Sequence, residues 1–429
     1  MSINTGHFSR SVSIIGCGYT PLGDVLKTPE MLGMTERELF AWAAIEAMED
    51  ANIEAKDIDA FYFGQVGPSL FANQCASSGG IGEWIGMRGK PSISHDEACS
   101  TFNMGLQLAV QAVASGVYDV VLAGTSNAAQ SHFPLGYPPH LREKNPDFMF
   151  ELESLVDDAA YCLPGNNMFS ILDGGAVSYA QKYNVSFEDL RKAMNQAAII
   201  ARWNAVHNPK ATFSKQTYEE EAKSKGFTTV EDYFNSPFNP PIAVVQHLFH
   251  STLICDGGGA VIVCPTDKAK DYTKYPVEII GMGESSMIGN HVLGTPFEID
   301  RLAFERAYRM ANIHDPYTEI DYMSIHDCSA QHYFTTTEAG GYFKPGEGWK
   351  AVLEGRIAHD GDKPVNTSGG RLSAGHTLSG PGGVEFTEAV GQMRGINADR
   401  QIPKQPKICV VQGYGGGWNS NVVVLKRSF

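Results

Sequence analysis

The sequence lacks the cysteine pattern of a disulfide-stabilised or zinc-ribbon protein. None of its eight cysteines forms a C-x-x-C pair, and a chain of 429 residues does not depend on disulfides for a stable core. No run approaches the ~20 apolar residues that a membrane-spanning helix needs. The first residues contain no apolar stretch typical of a signal peptide. We therefore expect a cytoplasmic protein with reduced thiols, most of them small buried side chains.

Positive charge is also scarce, since 33 Lys and Arg face 48 Asp and Glu, for a formal net charge of −15. An acidic surface repels nucleic-acid phosphates and anionic lipids, so we expect neither a nucleic acid nor a membrane as partner. There is no G-K-[ST] phosphate loop, and Gly16-Cys17-Gly18 lacks the third glycine of a dinucleotide motif. His247 and His250 have no nearby Cys or acidic ligand set, so we predict no metal site.

Apolar, β-branched runs alternate with helical patterns along much of the chain. Ser11–Ile15 predicts a buried strand that ends in a turn at 16–18, and 35–51 predicts a capped helix. Met104–Ala114 predicts an apolar helix, and Tyr118–Gly124 predicts the buried strand after it. This alternation is typical of the α/β class with a central sheet.

The composition changes in the middle of the chain, where residues 130–240 are richer in aromatic side chains, Asn, Pro and charge. We interpret this segment as an inserted loop domain. It would divide a first half, 1–129 with closing strands in 241–274, from a second half, 275–429. Both halves share the order strand-Gly, helix, strand, reactive segment, which suggests a duplicated βαβ unit without a convincing residue-level repeat.

The first candidate for chemistry is Cys99, which lies just before the helix predicted from Met104. A thiol at a helix N-terminus feels the positive end of the helix dipole, which lowers its pKa and favours the thiolate. Such a thiolate can attack a carbonyl carbon and hold an acyl group covalently. Taken alone, the segment also fits a buried structural thiol.

Three further segments carry suitable groups. Ser324–Cys328 ends a predicted strand, where the reactive side chains of open α/β sheets concentrate. Asn366–His376 combines Gly and small residues that fit closely around a ligand, and His376 is a suitable base for a thiol. Gly413–Gly417 exposes backbone N–H groups that can stabilise an oxyanion. Individually these segments also fit a capped strand end, a surface loop and a hairpin turn.

Together these segments resemble the thiolase superfamily over essentially the whole chain. Cys99-Ser100-Thr101 resembles its nucleophile segment C-[AS]-[ST]-G, and Cys255–Ala260 resembles S-D-G-A-A-A. Asn366–His376 resembles the catalytic-base motif N-x-x-G-G-x-[IL]-x-x-G-H, and 413–417 resembles C-x-G-G-G. The H-D-C sequence at 326–328 is similar to the sterol-carrier-protein type of thiolase and its bacterial and archaeal relatives.

The resemblance implies a thiolase fold, in which two duplicated βαβ-type halves form a five-layer α-β-α-β-α core with an inserted loop domain. It also implies a coenzyme A (CoA)-dependent acyltransferase that binds no cofactor and uses CoA as substrate or product. Cys99 would be the nucleophile and His376 its base, with Cys328 replacing the acid/base cysteine that thiolases carry at position 413. His326, His376 and a water would form one oxyanion site, and the backbone N–H groups of Cys99 and Gly415 the other.

Two departures from the family pattern concern the acyl pocket, because Phe102 and Thr377 replace the usual Gly and Pro. We expect Phe102 and residues Ser373, Ala374 and Gly375 to contact the acyl group or CoA. A branched, aromatic or steroid-derived acyl-CoA fits these departures better than a straight chain, and benzoylsuccinyl-CoA is one candidate.

The reaction that the resemblance favours is thiolytic cleavage of a 3-oxoacyl-CoA, or the reverse Claisen condensation. Two alternatives keep the fold: a retro-aldolase acting on a CoA thioester, and a CoA-independent acyltransferase. A third alternative is a non-catalytic scaffold or lipid-handling subunit. The resemblance also implies a homodimer, and a small zinc-ribbon and OB-fold protein as a further partner subunit.

Overall fold

A computed structural model describes residues 8–66, 76–128, 168–287, 297–379, 382–416 and 418–429, with only the backbone at 168–171. Residues 130–167 of the predicted insertion lie outside the described residues, as does Gly417. The strands are β1 Val12–Tyr19, β2 Ala60–Gly64, β3 Ser92–His95, β4 Val121–Asn127, β5 Gly257–Pro265, β6 Val277–Ser286, β7 Tyr322–Ser324, β8 Ile408–Gly415 and β9 Asn419–Arg427.

The described helices include the predicted capped helix and the helix after Cys99. They are α1 Glu36–Ala51, α2 Ser77–Trp84, α3 Thr101–Ala114, α4 Met168–Tyr183, α5 Phe187–Val206, α6 Tyr218–Ser224, α7 Val230–Phe234, α8 Glu298–Ala311, α9 Pro316–Glu319, α10 His332–Ala339, α11 Gly348–Leu353 and α12 Gly382–Arg394. Among the described helices, none is both long enough and apolar enough to cross a bilayer.

The described strands form one mixed sheet in the order β3-β2-β4-β5-β1-β6-β9-β8-β7. β2 runs parallel to β3 and β4, and β7 runs parallel to β8, while the other neighbours are antiparallel. The two halves join where Val12–Ile14 of β1 pairs with Val277–Ile279 of β6. The predicted α/β class is confirmed, and the sheet is continuous across both halves.

Helices cover the outer faces of this sheet and also lie between its halves. α3 and α12 touch each other, and both contact strands of both halves. α1 packs on the opposite face of the first half, and α8 packs on the opposite face of the second. The layers therefore follow the expected order of helix, strands, helices, strands and helix.

The duplication also has a residue-level signature, which the sequence analysis missed. Residues 12–18 and 277–283 both follow V-x-I-I-G-x-G, and both open the first strand of their half. The predicted turn at Gly16 is wrong, because β1 continues to Tyr19. A Cβ on Gly16 would lie 2.1 Å from the carbonyl oxygen of Ala47 in α1. Glycine is needed there because a helix backbone packs directly on the strand.

The second half repeats the connections of the first as well as its opening strand. β3 lies parallel to β2, and Val365 forms an isolated parallel bridge to Met323 of β7 in the corresponding place. α12 follows Val365 as α3 follows β3, so the two middle-layer helices are counterparts. β4 and β5 are antiparallel neighbours in the sheet although α4 to α7 separate them in the chain. On this basis we propose that the chain divides into a first half (1–129, completed by closing strands in 241–274), an inserted loop domain (130–240) and a second half (275–429).

Candidate active site

Cys99 lies in a tight turn between β3 and α3. Ala98 has a left-handed backbone with φ of +47°, and its carbonyl oxygen accepts the N–H of Thr101 at 3.1 Å. The carbonyl oxygen of Glu97 accepts the N–H of Ser100, also at 3.1 Å. The turn therefore holds Cys99, which is half-buried, at the N-terminal end of the apolar helix that the sequence predicted.

His326 and Cys328 follow β7, as expected from the strand before them. The N–H of His326 donates to Oε1 of Gln412 at 2.9 Å. Just before it, the side chain of Asn366 accepts the N–H of Ile325 at 2.8 Å and donates to its carbonyl oxygen at 3.1 Å. These bonds tie the end of β7 both to β8 and to the start of the predicted catalytic-base segment.

His376 is fixed at the other end of that segment, after a π-helical turn at Gly370–Ala374. Its N–H donates to the carbonyl oxygen of Leu253 at 3.1 Å, and its own carbonyl oxygen accepts the N–H of Cys255 at 2.9 Å. Because its backbone N–H and carbonyl oxygen are both hydrogen-bonded, the position of His376 is fixed. Its imidazole is the group that can take part in proton transfer.

The structure brings the predicted catalytic residues together. One sulfur or nitrogen atom each from Cys99, His326 and His376 lies within 4.8 Å of the others. The rings of the two histidines meet edge to face, with centroids 5.4 Å apart. A thiol and two imidazoles are groups that could also hold a metal ion. The same set provides a nucleophile with two imidazoles beside it.

Neighbouring groups fix which nitrogen of each imidazole carries the proton. Nδ1 of His376 lies 3.1 Å from the carbonyl oxygen of Thr377, which only accepts, so Nδ1 is protonated and Nε2 is the basic nitrogen. Nδ1 of His326 receives a hydrogen bond from Nη1 of Arg371, which only donates. His326 therefore carries its proton on Nε2. One histidine is set to accept a proton and the other to donate a hydrogen bond.

Arg371 is the main site residue that the sequence analysis did not assign. Its side chain is fully buried and forms a bidentate pair with Glu385, at 2.7 Å from Nε and 3.2 Å from Nη2. Nη1 donates to the carbonyl oxygen of Cys99 at 3.0 Å as well as to His326. The guanidinium thus links the nucleophile segment to an imidazole, and its hydrogen bonds hold these protein groups in position.

Electrostatics make the resting pair of Cys99 and His376 neutral. Burial raises the pKa of the Cys99 thiol, and the charge of Arg371 and the backbone N–H of Gly416 only partly oppose this effect. The expected net lowering at the helix N-terminus is thus wrong, because desolvation outweighs it. Burial and the charge of Arg371 lower the pKa of His376 to about 3, so its imidazole is neutral. Burial also raises the pKa of Cys328 well above its usual range.

The four residues that we expect to contact the acyl group or CoA are all buried. Phe102 is buried, stacks on Phe386 at 5.7 Å between ring centroids, and packs on Gly382. Ser373 and Ala374 are buried, and the carbonyl oxygen of Ala374 accepts the N–H of Thr212 at 2.8 Å. Gly375 is buried against Cys255 and Thr212, with φ of +128°. Their roles stay predictions.

The predicted oxyanion glycine, Gly415, has a neighbour, Gly416, whose backbone N–H acts on the nucleophile. A Cβ on Gly415 would lie 2.7 Å from the carbonyl oxygen of Glu97, so this glycine allows β8 to pack against the turn before Cys99. Together with the backbone N–H of Cys99 itself, the N–H of Gly416 lowers the pKa of the Cys99 thiol, against the larger effect of burial. Gly415 remains a predicted donor, and Gly416 joins it as a candidate.

A cleft of about 570 Å³ borders the segment that holds His376. Its walls come from 21–30 and 209–215, and its floor includes Leu253–Cys255, which is hydrogen-bonded to the backbone of His376. Lys27, Lys210 and Lys215 line it. Lys27 pairs with Asp24 and Lys210 with Glu46, so part of this positive charge is balanced locally.

Family models match both halves of the chain. A model described as "Thiolase, N-terminal domain" matches residues 12–267, and "Thiolase C-terminal domain-like" matches residues 295–427. The two matches cover the strands and turns that hold Cys99, His326 and His376.

Curated relatives align over nearly the whole chain. Acetyl-CoA acetyltransferases of Methanocaldococcus jannaschii and Methanothermobacter thermautotrophicus are 30% and 28% identical, over 95% and 97% of this chain and 94% and 100% of their own. The benzoylsuccinyl-CoA thiolase subunit BbsB of Thauera aromatica is 25% identical over 95% of both chains. Sterol carrier protein 2 of Bos taurus is 24% identical over 97% of this chain and 72% of its own.

Solved structures share the fold at lower identity. The "Ltp2-ChsH2(DUF35) aldolase" superposes with a TM-score of 0.74 and 20% identity, covering 97% of this chain and 98% of that one. Human mitochondrial 3-ketoacyl-CoA thiolase superposes with a TM-score of 0.69 and 19% identity, covering 98% of this chain and 100% of that one.

Proposed function

The chain belongs to the thiolase family, with the H-D-C motif of the sterol-carrier-protein type, and from this premise we propose that it cleaves a 3-oxoacyl-CoA by thiolysis or runs the reverse Claisen condensation. The family and the acetyltransferase relatives show that the chain is an acyltransferase, whereas the particular reaction and substrate are our proposal. The observation that carries the finer proposal is the pair of imidazoles beside Cys99, one bonded through Nδ1 to a carbonyl oxygen and the other through Nδ1 to a guanidinium.

The first half-reaction uses both imidazoles, one as a proton acceptor and the other as a hydrogen-bond donor. Nε2 of His376 takes the proton from Cys99, and the sulfur attacks the 3-oxo carbon of the substrate. The N–H at Nε2 of His326 and the backbone N–H groups near Cys99 stabilise the developing oxyanions. The bond between C2 and C3 then breaks, and its electron pair forms an acyl-CoA enolate. Cys328 donates a proton to C2 and recovers one from the imidazolium of His376, which leaves an acyl group on Cys99.

The second half-reaction releases the acyl group. Nε2 of His376, again neutral, takes the proton from the thiol of CoA, whose sulfur attacks the carbonyl carbon of acyl-Cys99. The sulfur of Cys99 leaves and recovers its proton from His376. Every proton is returned, so the same residues serve the condensation when the order of steps is reversed.

For the substrate we propose a branched or aromatic 3-oxoacyl-CoA, with benzoylsuccinyl-CoA as the specific candidate. The relative BbsB supports that candidate by name, whereas the more similar archaeal relatives act, by name, as acetyl-CoA acetyltransferases. The proposal starts from Phe102, which stands where the family pattern has a glycine and whose ring stacks on Phe386. The lysine-lined cleft next to His376 is our candidate for the phosphates of CoA.

Retro-aldol cleavage of a CoA thioester is the second candidate function, because the structural neighbour Ltp2-ChsH2 is named an aldolase. Aldol chemistry does not need a covalent cysteine. A half-buried Cys99 beside a neutral basic imidazole therefore favours acyl transfer over aldol cleavage. The same pair argues against a non-catalytic scaffold or lipid-handling role.

We further propose a homodimer that forms through β3, together with a partner subunit. β3 ends the described sheet, its residues are largely exposed, and Ile93 on it and Trp84 on α2 are 41% and 50% exposed. An edge strand with exposed apolar groups is suited to pairing with a second copy. The structural neighbour is named as a pair, the Ltp2-ChsH2(DUF35) aldolase, which supports a partner subunit for this chain. That this partner has a zinc ribbon and an OB-fold is our proposal from the family resemblance.

The deciding experiment is peptide mass spectrometry of the protein after incubation with acetyl-CoA, acetoacetyl-CoA and benzoylsuccinyl-CoA. We expect an acyl adduct on Cys99 that added CoA removes, and the mass of the adduct identifies the acyl group. Cys99→Ala should carry no adduct, whereas the matched control Cys264→Ala, in β5, should behave as the natural chain. An adduct-free natural chain, repeated with any co-purified partner, would contradict acyl transfer.

A further inference from the structure

A third histidine lies next to the predicted acid/base cysteine, and neither the motifs nor the proposed mechanism uses it. His332 begins α10, one helical turn after Cys328, and only 3% of its surface is exposed. Its Nδ1 lies 3.9 Å from the sulfur of Cys328, which is within reach of an S–H···N hydrogen bond. The N–H of Ser329 points to the same nitrogen at 3.4 Å. Nδ1 of His332 is therefore an acceptor, and its single lone pair lies within reach of both this N–H and the thiol.

The surroundings of this pair make a proton acceptor necessary. Cys99, Arg371 and Asp327 all act on the thiol of Cys328, and burial dominates, so that its raised pKa makes the thiol hold its proton strongly. The imidazole of His326 and the ring of Tyr414 face His332, with centroids 6.0 Å and 5.8 Å away. A thiol in this environment cannot take a proton from a substrate carbon unless another group takes its own proton.

We propose that His332 is the proton partner of Cys328, so that the site contains two Cys–His pairs with separate tasks. The proposal rests on the proposed function, in which Cys328 exchanges a proton with C2 of an acyl-CoA. Cys99 and His376 would carry the acyl group, and Cys328 and His332 would carry the proton.

The steps balance without any further reactant. In the condensation, Nδ1 of His332 takes the thiol proton of Cys328 while the sulfur takes a proton from C2, which leaves an enolate and an imidazolium. The enolate attacks acyl-Cys99, and the bond from its carbonyl carbon to sulfur breaks. Cys328 passes its proton through Nε2 of His376 to the departing sulfur of Cys99 and recovers one from Nδ1 of His332. Thiolysis uses the same steps in reverse.

A purely structural role is the competing explanation, because the bond from Ser329 also fixes the start of α10. His332→Asn separates the two roles. An asparagine oxygen can accept the N–H of Ser329 in place of Nδ1, but an amide takes no proton in the working pH range. A structural role therefore predicts normal chemistry in this variant, whereas a proton role predicts its loss.

The first test measures the thiol itself and does not depend on the substrate. In a Cys99→Ser background, the rate of Cys328 alkylation by iodoacetamide is followed against pH by peptide mass spectrometry. We expect His332→Asn to slow alkylation about 10²-fold near neutral pH, the low end for general base catalysis, with the deficit shrinking as pH rises. Superimposable pH profiles would overturn the proposal. So would a thiol that never reacts, because it could not reach a substrate carbon.

The second test follows exchange of the C2 protons of acetyl-CoA and propionyl-CoA with solvent deuterium in the natural chain. Cys328→Ala and His332→Asn should both lose exchange, while His332→Asn still forms the acyl adduct on Cys99. The exposed His314→Asn is the matched control and should exchange normally. Exchange retained in His332→Asn alone would overturn the role of His332. Exchange retained in Cys328→Ala as well would instead overturn the acid/base step of the proposed function.

Discussion

The pair of Arg371 and Glu385 allows stability and catalysis to be separated by mutation. Both side chains are almost fully buried, and the guanidinium contacts His326 and the carbonyl oxygen of Cys99. Replacing Arg371 with Met alone leaves the carboxylate of Glu385 buried without its partner. That change should cost ~3–5 kcal/mol of unfolding free energy, as for other broken buried pairs.

Replacing both residues with Met removes the uncompensated charge. Apolar replacements of a whole buried pair are often neutral or stabilising by ~1–4 kcal/mol, so the double variant should recover most of the stability. Turnover should not recover. Without the donor at Nδ1, His326 no longer has a fixed N–H at Nε2, and loss of one oxyanion donor costs about 10²–10³ in kcat.

The assay combines urea unfolding with the rate of Cys99 acylation in the natural chain, the single variant and the double variant. Arg356→Met with Asp362→Met, an exposed bidentate pair, is the matched control and should leave acylation unchanged. A folded double variant of Arg371 and Glu385 whose acylation rate stays within about threefold, under ~1 kcal/mol of barrier, would refute the role given to Arg371.

Four further predictions test other parts of the structure. Cys99→Ala should abolish the acyl adduct while changing the free energy of unfolding little, since the side chain is half-buried and small. Because burial, and then a neighbouring guanidinium, lower the pKa of His376 to about 3, acylation should not weaken as pH falls to about 5, and a midpoint near the ordinary imidazole value of about 6.5 would contradict a neutral pair. Gly283→Ala should destabilise by several kcal/mol in urea unfolding, because its Cβ would lie 2.0 Å from the carbonyl oxygen of Ala303. Gly79→Ala in α2, where a Cβ meets no atom of the described residues within 4 Å, should stabilise by about 0.5–1 kcal/mol.

The sequence predicted which candidate residues lie together better than it predicted what holds them in place. Cys99, His326 and His376 stand in short motifs whose chemistry is local, namely a thiol before a helix, a strand end and a glycine-rich loop. The contacts of Arg371 are not local, because Cys99 and His326 lie 272 and 45 positions away. Its partner Glu385 looks like an ordinary polar residue of an amphipathic helix until α12 is placed in the middle layer.

The same limit explains the error at Gly16 and the missed repeat. A glycine after an apolar run predicts a turn when only the run is visible. In the fold, Gly16 and Gly283 allow a helix backbone to approach a strand, which is a tertiary requirement that neighbouring residues do not encode. The pattern V-x-I-I-G-x-G is short. It can be recognised as a repeat only when the structure shows that both copies pack against alanines of a covering helix.

The duplication also accounts for how nucleophile and base meet. Cys99 lies between β3 and α3, and His376 lies between the isolated strand residue Val365 and α12. These are the same place in the two halves, since Val365 pairs with β7 as β3 pairs with β2. α3 and α12 touch in the middle layer, so the turns before them converge on one point. The pseudosymmetry of the fold therefore brings a thiol of one copy next to an imidazole of the other, and we propose that the two act as a catalytic pair. His326 and Arg371 are additions of the second half alone.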